Sequence, residues 1–256
     1  MLKTAIKAAL SAGKVLNKHF GHLESFQSKN KNRTDFVTKA DKEAEEKIKK
    51  IILGKFPEHS FWGEESGRKN AAKKYLWVVD PLDGTSNFVF NIPLFSVSIA
   101  LLRDNKPILG VVYIPKTKEL FYAQKNKGAF CNNKKIHVSR TDALKNSVCS
   151  IGYWSKNRQY LKNGLKNFSA FARRVKKMRY LSSTVFEICH VAKGDLDFCA
   201  METTFLDIAA VKLILEEAGG KMINRYNKKN APELNKDIFS IIACNKKLLG
   251  EIIKIK

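Results

Sequence analysis

The stretch YLWVVDPLDGTSNF, Tyr75 to Phe88, constrains the fold more tightly than any other part of this 256-residue chain. Its run Leu76-Trp77-Val78-Val79 is short, β-branched and aromatic, which predicts a buried strand. The strand is expected to end at Asp80, because Pro81 fixes its own φ and has no N–H to give a ladder. Asp80 and Asp83 can then turn toward one point, with the Leu82 carbonyl between them. Gly84 permits an unusual backbone angle. Thr85 and Ser86 add hydroxyls and N–H groups of the kind a helix N-terminus offers to phosphate. As a bare turn, which Asp, Pro and Gly also favour, the segment would carry no chemistry.

The acids stand out because the chain is short of them. Asp and Glu number 24 against 47 Lys and Arg, for a formal charge of +23, yet Glu64 and Glu65 of "GEES" lie within two dozen residues of Asp80 and Asp83. Such a charge invites a nucleic-acid reading. That reading stays open but is not favoured, because lysine rather than the phosphate-forking arginine dominates and is spread from Lys3 to Lys256. A hydrophobic content of 44% is enough for a real core. The longest uncharged run, Gly84 to Leu102, contains Asn91, Pro93, Ser96 and Ser98 and is too polar for a membrane helix. Five scattered cysteines, Cys131, Cys149, Cys189, Cys199 and Cys244, form no CxxC pair, which argues against a disulfide framework or zinc site and for a reducing cytoplasm.

Apolar spacing predicts a helix over 2–20, the polar "SKNKNRTD" reads as an exposed loop or hairpin tip, and a second helix opens at Asp41, with acids early and lysines late as the helix dipole prefers. "FSVSIALL" and "PILGVVYIP" flank the turn "RDNK" as a hairpin, and "KELFYAQ" and "GAFCNNKKIHVS" extend an antiparallel sheet. Beyond a seam near 145, strands alternate with helices ("NSVCSIGY", "KMRYLS", "STVFEICHVAKG", "LDFCAM", "DIAAVKLILEEAGG", "FSIIACN", "KKLLGEIIKIK"), so helices should cover a sheet. The two parts, 1–145 and 146–256, read as halves of one unit. Asp207 falls where a helix N-cap belongs, as does Asp41. The five histidines lack metal-ligand spacing and read as surface or packing residues. Hard oxygen ligands beside an anion cradle are what Mg²⁺-dependent phosphoryl chemistry requires.

In order, "GEES", "WVVDPLDGTSNF", "SVSIALL", "GVVY", "KGAF" and "LDIAAVKLILEEAGG" resemble the inositol monophosphatase family of metal-dependent, lithium-sensitive phosphatases. The resemblance runs from about Ala8 to Gly220. It implies an α+β fold, the αβαβα layered sandwich of sugar phosphatases, and commonly a homodimer. It implies phosphomonoester hydrolysis by an activated water with two or three Mg²⁺ ions, held by Glu64, Asp80, the Leu82 carbonyl, Asp83 and Asp207. Asp41 and Glu65 match acids implicated around a third ion and the attacking water, and Thr85 the threonine that positions it. Gly84, Thr85 and Ser86 would meet the phosphate.

The substrate half of the pattern departs. Leu206 stands where most members have Trp, and Ala200 where inositol-specific members have a glutamate, with Glu202 two residues on as a candidate substitute. In Ser182-Ser183-Thr184 only Ser183 matches the family's substrate-side motif, and Val211 replaces a common glycine. The resemblance therefore implies a phosphatase whose substrate is inositol monophosphate or a related sugar phosphate. Fructose 1,6-bisphosphate, 3′-phosphonucleotides, NADP and histidinol phosphate stay open, as does an RNA-associated regulatory role.

Overall fold

The computed structural model describes residues 1–22, 26–28, 36–69, 74–152, 158–225 and 238–255. The "SKNKNRTD" loop lies mostly outside them. Five layers stack as helix, sheet, helix, sheet, helix. The first holds α1 (Leu2–His19) and α2 (Lys39–Leu53). Alanines 5, 8, 9 and 12 of α1 are fully buried, and their small side chains let α2 and the sheet approach closely.

The second layer is an eight-stranded sheet in the order β10-β9-β8-β7-β6-β5-β3-β4. Its strands are β3 (Ser60–Gly63), β4 (Gly67–Lys69), β5 (Tyr75–Asp83), β6 (Ser96–Arg103), β7 (Lys106–Ile114), β8 (Glu119–Gln124), β9 (Ala129–Cys131) and β10 (Lys134–Lys135). A separate pair, β1 (Phe26–Ser28) and β2 (Phe36–Thr38), precedes α2. The predicted meander holds. Its turns at Asp104-Asn105 and Asn132-Asn133 have φ of 51°, 61°, 47° and 64°, the left-handed pairs that two-residue hairpins demand and Asn and Asp tolerate. The sheet is not purely antiparallel, however: β3 runs parallel to β5. The strand β4, unforeseen in the sequence, returns along the outer edge of β3 and ends level with its start, the end from which β5 also sets out.

β5 is buried on both faces, which is why it reads as a continuous apolar run. Trp77 and Val79 pack toward α1 and α2; Leu76 and Val78 pack toward the third layer, α5 (Thr184–Lys193) and α6 (Phe205–Glu217). His59, expected as a surface or packing residue, packs: it stacks on Phe56 and accepts the Trp77 indole N–H at 3.0 Å.

The fourth layer is a five-stranded mixed sheet, β12-β11-β13-β15-β14. It comprises β11 (Val148–Ile151), β12 (Lys177–Arg179), β13 (Phe198–Thr203), β14 (Gly220–Asn224) and β15 (Phe239–Asn245). Its outer face is closed by α4 (Arg158–Ala172) and α7 (Leu249–Ile252) through Phe171, Leu248 and Ile252. The sequence does not announce β14, and the last helix is shorter than its apolar spacing suggests. All five cysteines are unpaired and buried. No described helix is long and apolar enough to cross a membrane.

Candidate active site

The strand β5 does not stop at Asp80. It continues to Asp83 through an irregularity: Asp80 pairs with Ser98 and Asp83 with Ser96, so Pro81 and Leu82 together face Val97 alone. Residues three apart on a regular strand point to opposite faces. The bulge corrects this by one residue and turns both carboxylates to the same side. The cause is local: Pro81 cannot donate, and the Leu82 N–H is drawn to Asp80 Oδ1 at 3.0 Å.

A third carboxylate comes from α6. Asp207 is not the N-cap but the third residue of the helix. Thr204 is the N-cap, and its N–H donates to Asp207 Oδ2 at 2.9 Å, while the Thr203 hydroxyl donates to the same oxygen at 2.7 Å. Asp41 repeats the device on α2. Thr38 is the N-cap, and its N–H and hydroxyl reach Asp41 Oδ2 at 2.8 and 2.6 Å. Both aspartates are thus aimed by capping boxes. The Thr-x-x-Asp spacing of Thr38–Asp41 and Thr204–Asp207 spells this in the sequence.

Asp80, Asp83 and Asp207 each place an oxygen within 4.8 Å of the others. Among the described residues no cationic side chain is paired with them, and their electrostatics show the strain. Burial, then Glu64, Asp83 and Asp207, push the Asp80 carboxyl well above the usual range. Burial, then Asp207, raise Asp83 to about 7 against the donors Ser183 and Ser96. Burial foremost raises Asp41 to about 7, with Glu64 and Glu65 adding to it. Glu64 is exposed at the rim, Glu65 half-buried beside it. A cluster that must hold protons to stay neutral, built wholly of oxygen donors, fits a hard divalent cation.

Asp83 Oδ2 is saturated by Ser96 Oγ at 3.2 Å, by the Val185 N–H at 3.2 Å and by the Ser183 hydroxyl, which leaves Oδ1 for the cluster. Gly84 has φ +83°, and a Cβ there would lie 2.8 Å from the Leu94 carbonyl. It ends the strand and caps the short α3 (Thr85–Val89). Thr85 Oγ1 donates to the Leu82 carbonyl at 2.9 Å, and Ser86 is half-buried in the same turn. Glu202 stands apart. It is buried on β13 opposite Ser240, on the strand face of Phe198 and Ala200, whereas Thr203 on the other face reaches Asp207.

Sequence reasoning missed three supports. Ser96 reads as an ordinary strand serine. Asn87 ties α3 to the second half through Nδ2 bonds to the Leu94 and Leu181 carbonyls, both 2.8 Å. Glu187 takes the Leu181 N–H at 3.3 Å beneath the Ser183 turn, and burial raises it to about 7.

The whole described chain carries this likeness outward. The model of the inositol monophosphatase family matches residues 1–255. A protein of Aquifex aeolicus named fructose-1,6-bisphosphatase/inositol-1-monophosphatase is 37% identical over 220 residues, 86% of this chain and 83% of its own. The Nus factor SuhB of Vibrio cholerae is 37% identical over 221 residues, with the same coverage. The crystal structure of the extragenic suppressor protein suhB of Bartonella henselae superposes with a TM-score of 0.92 at 30% identity, covering 99% of this chain and 97% of that one. With its layered α+β fold and a match along its length, the chain belongs to the inositol monophosphatase family.

Proposed function

We propose that the protein is a Mg²⁺-dependent phosphomonoesterase acting on inositol monophosphate or a related sugar phosphate. The observation that carries this is the convergence of Asp80, Asp83 and Asp207 within 4.8 Å, with no cationic side chain among the described residues paired with them. In this reading those three, with Glu64 and the Leu82 carbonyl, hold two or three Mg²⁺ ions. Bound Mg²⁺ supplies Lewis acidity that offsets charge on the phosphoryl oxygens.

The chain's own groups do the rest. Gly84, Thr85 and Ser86 offer first-turn N–H groups of α3, which lack intrahelical acceptors, to the phosphate. Thr85 Oγ1, tied to the Leu82 carbonyl, orients the attacking water. Asp41 Oδ2 is occupied by Thr38, so Oδ1 is the atom that takes the water's proton, with Glu65 beside it. Burial, which raises the metal-free Asp41 carboxyl to about 7, favours its holding a proton. Ser183, through its bond to Asp83, links the metal side to the substrate side.

The test is phosphate release from inositol 1-phosphate, fructose 1,6-bisphosphate, 3′-phosphoadenosine 5′-phosphate, NADP and histidinol phosphate, with Mg²⁺ and with EDTA. The expected result is Mg²⁺-dependent release with one preferred ester; no release from any would refute the reading. The +23 charge and the likeness to proteins named Nus factor SuhB favour a second reading, an RNA-associated regulator. It requires RNA binding with a steep salt slope that survives Asp80→Asn.

A further inference from the structure

The loop carrying Glu64 and Glu65 hangs between β3 and β4, and something must hold it. Its three successive N–H groups are all taken, one by the neighbouring strand and two by α2. Glu64 donates to the Val79 carbonyl at 3.2 Å. Glu65 and Ser66 donate to one side chain, Glu45, at 2.8 and 2.9 Å, one to each carboxylate oxygen. Glu45 lies on α2 one turn beyond Asp41, on the same buried face, and is 2% exposed. Gly63, just before the loop, makes room for it: a Cβ there would meet the Glu45 carboxylate at 2.4–2.6 Å.

A buried carboxylate in an acid-crowded region is costly unless its hydrogen bonds are worth it. Here the bonds are charge-assisted and made to backbone, which fixes a loop's path rather than a side chain's. With the Glu65 and Ser66 N–H groups turned onto Glu45, the loop holds Glu64 and Glu65 within electrostatic reach of the Asp41 carboxyl, and Glu64 within reach of Asp80. One helix therefore sets two parts of the site, Asp41 directly and the loop through Glu45.

We infer that Glu45 is a positioning residue that sets metal affinity by holding the Glu64–Ser66 loop, and that Gly63 is glycine to admit it. The inference rests on the proposal that Glu64 is a metal ligand. A residue orienting a ligand typically governs affinity by about 10–100-fold. Glu45→Gln keeps one acceptor oxygen and Glu45→Ala keeps none, so affinity should fall in that order.

The test is Mg²⁺ titration followed by melting temperature, in wild type, Glu45→Gln, Glu45→Ala, Glu64→Gln and Glu45→Gln/Glu64→Gln. Amide hydrogen exchange at Glu65 and Ser66 is measured in the metal-free proteins. The expected result is a Mg²⁺ midpoint raised about tenfold or more in Glu45→Gln, faster exchange at those two amides, and a double variant no worse than Glu64→Gln. A merely structural role would lower the metal-free melting temperature and leave the midpoint alone, and that would overturn the inference. So would additive effects in the double variant. If Glu45→Ala does not fold, Glu45→Gln and the exchange data decide alone. Failure of wild type to respond to Mg²⁺ at all would instead refute the metal site and the inference with it. A normal wild-type response with an unshifted Glu64→Gln midpoint would refute the inference while leaving the Asp80, Asp83 and Asp207 site standing.

Discussion

Asp80→Asn should make the metal-free protein more stable while abolishing its proposed activity. Asp80 is buried, with oxygens of Asp83 and Asp207 within 4.8 Å. At an effective dielectric of about 20, each ionised pair at that distance costs about 3.5 kcal/mol. Two such pairs exceed the cost of simply holding a proton. From an ordinary value of 3.8, that cost at pH 7.5 is about 5 kcal/mol, and it caps the penalty. Asparagine carries no charge, preserves the shape and keeps an oxygen for the Leu82 N–H. After allowing for the new buried NH₂, the gain is about 2–4 kcal/mol, or about 5–15 °C in Tm for a chain of this size. Because the folded-state carboxyl titrates above the unfolded one, the penalty is absent below about pH 4 and grows as pH rises. The assay is thermal melting in EDTA at pH 4 and 7.5, repeated in Mg²⁺. At pH 7.5 in EDTA the variant should melt above wild type, and at pH 4 with it. Mg²⁺ at about a hundred times the wild-type Kd should add about 2.7 kcal/mol to wild type and little to the variant. A variant that melts below wild type in EDTA at pH 7.5, or that retains full turnover, would refute the reasoning.

Glu187, raised to about 7 from 4.5 by burial, keeps its proton in the folded protein after the unfolded chain has lost it, so it erodes stability as pH climbs from about 4.5 to 7. Glu187→Gln should flatten the decline of urea-unfolding free energy with pH by up to about 1.4 kcal/mol per unit in that window; an unchanged slope would count against it. Gly84→Ala forces a left-handed alanine and drives a Cβ to 2.8 Å from the Leu94 carbonyl and 3.2 Å from Ser183. The backbone alone should cost about 1–2 kcal/mol, visible in denaturant midpoints, and displacement of Ser183 from Asp83 should weaken Mg²⁺ binding.

Local physical chemistry made much of this molecule legible from its sequence. The alternating runs from Ser96 to Lys135 and their Asp-Asn and Asn-Asn turns predict the meander, because burial on a pleated sheet and positive φ are properties of neighbouring residues. The turn of Asp80 and Asp83 toward one side around Pro81 is written locally as well, although the strand runs on to Asp83. The Thr-x-x-Asp spacing is also local, but reading Asp41 and Asp207 as the caps misses Thr38 and Thr204 in that role. Tertiary structure alone decided the rest. It carried β3 parallel to β5 and made a strand of β4 on the sheet's edge, where little apolar surface is buried to mark it. It brought Ser183 onto Asp83 across 100 positions and Glu45 under Glu65 across 20. It turned Glu202 to the strand face opposite Thr203. Each depends on which layers stack and where one strand bulges, and the energy of such contacts resides in pairs that lie far apart along the chain.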